Sequence, residues 1–244
     1  MKQGALKGFT IIEVILFFAI TGLIMSVMLI GISNGLNQER YRDASTSLVG
    51  YFQEQYSNVA NVSNSRASTD MCPGSLLTTD RGTSDCFIVG RIITSTASGA
   101  VIESRRVFAT VEVTPEEASA ASMSDLQILQ NSVLRPDTAA DSYTMEWGTK
   151  LINPSSSPAG DRTFTLMIVR VPTNGAIHTY LMNIANRTPQ QMVTVAPPAQ
   201  PTGEFVACLE PAGLIKPTQS YTGIQIVADS ANSSGVKFVS AGDC

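Results

Sequence analysis

The chain follows two different patterning rules. From Phe9 to Ile32, 24 residues, only Thr10, Glu13, Thr21 and Ser26 are polar, and no charged side chain occurs between Val14 and Gln38. A helix of that length spans roughly 36 Å, enough to cross a hydrocarbon layer of about 30 Å with some tilt. After Gln38 the pattern becomes amphipathic. Tyr41, Leu48, Phe52, Tyr56 and Val59 are spaced 7, 4, 4 and 3 apart, the period of one helical face. Glu39, Arg40, Arg42, Asp43, Gln53 and Glu54 fall mainly between them. No proline interrupts Phe9 to Val62, so one helix of 54 residues, roughly 80 Å long, is predicted. Its weak points are Gly22, Gly31, Gly35 and Gly50, each costing about 1 kcal/mol relative to alanine. The stretch "SNSRASTDMCPGS" ends it.

Beyond that stretch the pattern reads as mixed but mostly β. "CFIVGRII" and "RRVFATVEV" are β-rich runs, and in the second Val107, Ala109, Val111 and Val113 alternate with Phe108, Thr110 and Glu112. "TPEE" predicts a helix capped by Thr114, with proline at its first position and acids near its positive end, running to Leu134 and stopping before Pro136. "RTFTLMIVRV" and "AIHTYLMNIA" flank "PTNG" and predict a hairpin whose Asn174-Gly175 pair tolerates positive φ. "TPQQMVTVAPPAQPTG" predicts an extended surface segment. Short strands follow in "EFVACL", "TGIQIVA" and "VKFVS".

Charge fixes an orientation. Lys2 and Lys7 precede the apolar span and no acid lies in the first eight residues, so the positive-inside rule keeps the N-terminus cytoplasmic and sends the rest outward. Cys72, Cys86, Cys208 and Cys244 would then lie on the disulfide-permissive side. A conventional signal peptide has an apolar region of only about 7–15 residues; here the run is longer and continues as helix. Catalytic chemistry is sparse. The single histidine, His178, falls in a predicted strand and reads as structural. There is no Gly-rich phosphate loop, no CxxC and no HExxH. The acidic loops at 137–141 and 229–235 offer oxygen ligands of the kind calcium takes, but read better as solvated turns. No metal, cofactor or enzymatic activity is expected. A formal charge of −4 supplies no basic stripe for nucleic acid.

"KGFTIIEVILFFAITGLI" resembles the N-terminus of type IV pilins and pseudopilins, with the leader of a class III prepilin. The match covers roughly the first 30 residues: basic leader, glycine, aromatic, threonine, glutamate and unbroken apolar helix occur in register. The resemblance implies cleavage by a prepilin peptidase between Gly8 and Phe9, N-methylation of Phe9, and an assembly role for Glu13. A carboxylate among hydrocarbon is unfavourable and by default functional; the implied partner is the Phe9 amino group, in the same subunit or, across a filament contact, in a neighbour. The expected organisation is a leader at 1–8, a membrane and assembly half-helix at 9–36, an amphipathic half at 37–62 and an extracytoplasmic head at 63–244. The fold class expected is α+β, the long helix on an antiparallel sheet. The midway proline of many major pilins is missing and the head is large, which points to a minor pilin serving adhesion, twitching motility or DNA uptake. The alternatives are a pseudopilin of a type II secretion or competence machine and, from another class, a single-pass anchored ectodomain that binds a ligand or acts as an enzyme. Implied partners are other pilin subunits, the peptidase, an inner-membrane assembly platform and, before assembly, the membrane. Four cysteines allow three pairings; Cys72–Cys86 with Cys208–Cys244 is favoured, the second stapling the C-terminus as in many pilins.

Overall fold

The computed structural model describes residues 10–61, 86–110, 115–153, 160–194, 204–210, 222–228, 230–239 and 244. The chain divides into two compact units, Met1–Arg42 and Asp43–Cys244. Helix α1, Ile11–Ala60, begins in the first and ends in the second. The second half of the helix thus belongs to the same unit as the sheets, because Leu48, Phe52, Tyr56 and Val59, four of the five residues on the predicted stripe, are all buried there; the fifth, Tyr41, is also buried but falls in the first unit. Burying each such side chain contributes roughly 1.5–3 kcal/mol.

The rest of the second unit is antiparallel sheet with short helices, an α+β arrangement. The first sheet has six strands. β1 (Cys86–Ser95), β2 (Val101–Thr110), β3 (Val133–Pro136), β6 (Thr165–Arg170) and β7 (Ile177–Met182) lie in the order β3-β2-β1-β6-β7, and β4 (Asp141–Thr144) also pairs with β2. Gly90 is where β1 meets β6: a Cβ there would collide with the Ile168 carbonyl oxygen and approach the Val169 Cα at 2.8 Å. A bulge between Ile88 and Gly90 adjusts the register against β2 at the same point.

Both faces of this sheet are covered, which is why Val107, Phe108 and Ala109 are all buried despite alternating direction. One face takes the end of α1. Tyr56 shares a hydrogen bond with Thr179 of β7 at 2.9 Å, and Gln55 accepts one from Ser104 of β2 at 3.2 Å. On the other, Val107, Ala109, Met167 and Val169 form a core with Ala118, Leu129 and Met192 from three short helices, α2 (Pro115–Ala120), α3 (Asp125–Gln130) and α4 (Pro189–Thr194).

Where one sheet was expected there are two. β5 (Lys150–Ile152), β8 (Glu204–Glu210), β9 (Gly223–Val227) and β10 (Val236–Val239) form a second sheet ordered β10-β9-β8-β5. It joins the first through Leu151, whose N–H donates to Gly99 of the β1–β2 turn at 2.9 Å, and through the Phe164 and Phe205 rings, 5.1 Å apart. At three residues β5 is too short for alternation to reveal.

Two local expectations fail for one physical reason. The helix predicted from Thr114 to Leu134 is two helices and a strand. Ser122 at φ 50° breaks it, a Ser124–Gln127 capping box restarts it, and the β-branched Val133 opens β3; Thr114 lies outside the described residues. The segment expected to be extended after Arg187 instead begins with α4. Thr188 and Gln191 cap it reciprocally at 3.0 and 3.3 Å, Pro189 opens it, and Met192 and Val193 are fully buried. The hairpin forms as predicted, though only Gly175 adopts positive φ, at 76°.

Candidate functional site

The first turn of α1 carries Glu13, and its carboxylate turns back on its own helix. Oε2 accepts the Thr10 N–H at 3.0 Å and the Thr10 hydroxyl at 3.1 Å, while the Glu13 N–H donates to the Thr10 hydroxyl at 3.3 Å. This is a capping box, T-x-x-E, which satisfies otherwise orphaned donors and sets a negative charge at the positive helix end. The same four letters that suggested an assembly acid therefore also encode a helix start.

Past Glu13 the helix surface is bare hydrocarbon. Of the 20 exposed large hydrophobic residues described, 17 lie between Ile11 and Leu36. Thr21 and Ser26 are satisfied within the helix: Thr21 donates to the Phe17 carbonyl at 2.8 Å and Ser26 to the Gly22 carbonyl at 2.9 Å. Apart from Glu13, then, no side chain resolved in Ile11–Ile32 asks for a polar partner outside the helix. A Cβ at Gly22, Gly31 or Gly35 would meet nothing within 4 Å. Covering 17 such side chains is worth roughly 25–50 kcal/mol, a term that only lipid or other apolar helices can supply. The helix is long and apolar enough to cross a membrane once.

The remaining sequence-predicted positions are distributed elsewhere. Gly8, Phe9 and Cys72 lie outside the described residues. Cys208 and Cys244 are disulfide-bonded, Cα atoms 5.7 Å apart, with the Cys244 sulfur against Gly223 of β9. Cys86 is also in a disulfide.

His178 forms a 2.8 Å contact through Nε2 with Asp125 of α3, and Asn174 of the hairpin turn donates to the other oxygen of that carboxylate at 2.6 Å. Asp125 thereby ties α3 to both the turn and strand of the hairpin. In the first acidic loop, residues 138–141 are exposed as expected of a solvated turn, but both carboxylates also face a guanidinium: the largely buried Asp137 meets Arg106 at 2.7 Å, and the exposed Asp141 meets Arg91 at 3.0 Å. Asp229 lies outside the described residues. No group of three metal-ligating acids, histidines or cysteines occurs among the described residues.

Sequence reasoning missed the turn at Met145–Thr149, which rests on α1. Glu146 accepts from Ser47 at 3.1 Å, and the Trp147 indole N–H donates to Asp43 at 3.3 Å. Beside it the rings of Tyr143 and Tyr51 stack at 4.5 Å. Neither hydroxyl meets a partner in good hydrogen-bond geometry; Ser104, which faces Tyr51, donates to Gln55 and accepts from Arg91. Burial pushes both phenols up to about 12. Spacing alone held no signal for this turn, because a positive-φ tryptophan contradicts local preference.

Comparison with protein-family models, with curated proteins and with solved structures finds no match.

Proposed function

We propose that the chain is a non-enzymatic subunit, of minor-pilin type, of a type IV pilus or related filament. The observation that carries this reading is the bare apolar surface of α1 from Ile11 to Leu36, headed by Glu13 in the register of a prepilin leader. In the membrane that surface faces lipid. On assembly it faces the equivalent helices of neighbouring subunits, and Glu13 exchanges its bond to Thr10 for the Phe9 amino group of a neighbour. A peptidase removes residues 1–8 and methylates Phe9, the helix crosses the cytoplasmic membrane with its N-terminus inside, and an assembly platform extracts it. The filament serves adhesion, motility or DNA uptake. Without Lys2 and Lys7 the 16 basic residues become 14 against 20 acids, so the head takes no direct grip on nucleic acid.

The alternative, a pseudopilin of a type II secretion or competence machine, rests on the same leader register and the same apolar helix surface. The test is fractionation of cells expressing the full chain beside its own machinery. The chain is expected in sheared filaments or the pseudopilus fraction; confinement to the membrane fraction, with machinery active, favours a plain anchored ectodomain.

A further inference from the structure

Arg162 is a cation half withdrawn from water. Its guanidinium carbon lies 4.6 Å from the centroid of the Phe205 ring, and that ring is buried. Its Nε is buried too and meets no acceptor. Among the described residues its side chain makes one hydrogen bond, a long one to Asn183 at 3.4 Å. The neighbouring acid, Asp161, turns to Lys150 instead. Arg187 repeats the situation, half-buried and with a buried Nε that meets no acceptor. The two arginines come from loops laced together through Thr165, whose hydroxyl donates to the Ile184 carbonyl at 2.6 Å and accepts the Arg187 N–H at 3.3 Å. Neither arginine takes part in an ion pair among the described residues. Charges taken out of water are normally paired, so this corner of the first sheet lacks a carboxylate. Ile184, in the same loop as Arg187, is 51% exposed and gives the corner an apolar neighbour.

We propose that the corner formed by Arg162 and Arg187 docks Glu54 of a second copy of this chain, as a contact between the head of one filament subunit and the helix of the next. This rests on the filament reading above. Charge complementarity selects that occupant. Glu54 is the one charged side chain of α1 between Ala44 and Ala60. It is exposed, and it takes part in no ion pair among the described residues. Glu39 and Glu116 are unpaired as well, but Glu39 sits within one turn of Arg40 and Arg42, and Glu116 lies in the positive first turn of α2. A guanidinium grips a carboxylate through parallel hydrogen bonds, which is the bonding the two arginines lack. The cations and the acid stand at separate places on one chain, so the contact is heterologous. Repeated from copy to copy, a heterologous contact that does not close builds an open helical filament.

The experiment is carbodiimide cross-linking of the full chain carrying Arg162→Lys or Arg187→Lys. Each substitution keeps the charge and supplies an amine that can be joined to a touching carboxylate. Links are mapped by peptide mass spectrometry in dilute detergent solution and in sheared filaments. A link between Glu54 and position 162 or 187 is expected in filaments and not in detergent. Glu54→Arg is expected to enter filaments at least about tenfold less than wild type, because it sets like charges against each other. Its melting temperature in detergent should equal that of wild type, because the position is exposed. Filaments in which neither position links to Glu54 would assign the corner to another occupant and overturn the proposal. So would a link already present in detergent, which places the pair within one chain, or a Glu54→Arg variant that assembles like wild type; those results leave the filament reading standing. Absence of the wild-type chain from filaments overturns both.

Discussion

Glu13 makes two bonds that a pair of substitutions can separate. In the single chain it caps α1 through Thr10; in a filament the proposed partner is a neighbour's Phe9 amine. Thr10→Ala removes the capping hydroxyl and keeps the carboxylate. Losing an N-cap costs about 0.5–2 kcal/mol, and here the loss is confined to the first helical turn. Glu13→Ala removes both bonds. Membrane insertion should be unchanged or improved, because a charge at the helix centre costs about 2.5–3.5 kcal/mol and one near its end somewhat less. Breaking a buried pair costs about 3–5 kcal/mol, which lowers filament incorporation at least about a hundredfold. Glu13→Gln keeps an acceptor without the charge and should fall between. The assay expresses each variant beside the wild-type machine and compares membrane-bound with sheared fractions. If Thr10→Ala and Glu13→Ala lose incorporation equally, Glu13 acts as a helix cap and the cross-subunit pair is refuted. If Glu13→Ala assembles as well as wild type, neither bond matters for assembly.

Three further outcomes are expected in the head. Tyr51 and Tyr143 keep their protons to about pH 12 when folded and lose them near 10 when unfolded. Above pH 10 the unfolded state binds fewer protons, so stability is complete below pH 10 and falls toward 12. At about 1.4 kcal/mol per unit Tyr51 alone accounts for about 3 kcal/mol of loss, and Tyr143, which is more open to solvent, adds less. Tyr51→Phe should flatten this decline and add about 1 kcal/mol at neutral pH, because a buried hydroxyl without a partner is removed; unaltered alkaline melting curves would count against it. Phe52→Ala, at a fully buried position beside Phe164, should cost about 3–5 kcal/mol in chemical denaturation, and a loss under about 1 kcal/mol would mean α1 does not seat on the sheet as described. Cys208 and Cys244 close 36 residues of chain, so Cys208→Ser should cost about 4 kcal/mol on the chain-entropy model; an unchanged melting temperature would show the staple to be dispensable.

Much of this architecture was legible because long elements repeat their signal. Leu48, Phe52, Tyr56 and Val59 gave the buried face of α1 at helical spacing, and the hairpin of β6 and β7 was marked by Gly175 between two apolar runs. Short elements escaped because one contact decides each of them. Three reciprocal caps of the form S/T-x-x-E/Q, at Thr10, Ser124 and Thr188, were visible in the letters and went unread. Each marks the observed start of a helix, and two of them would have corrected the helix predicted to Leu134 and the segment predicted to be extended after Arg187. Other features were not legible at all. Pairing of β5 with β8 joins positions about 60 residues apart, and the strained Trp147 is held by Asp43, 104 residues away. The candidate site divided in the same way. Glu13 was evident from its setting in an apolar run, whereas its bond to Thr10 needed the geometry of the first turn.

The N-terminal residue of the chain recovered from sheared filaments tests the central claim most directly. Intact-mass and peptide mass spectrometry should find a chain that begins at N-methyl-Phe9, with residues 1–8 gone. An assembled chain that still carries the Met1 leader would contradict prepilin processing, and with it the assignment of this protein to a type IV filament.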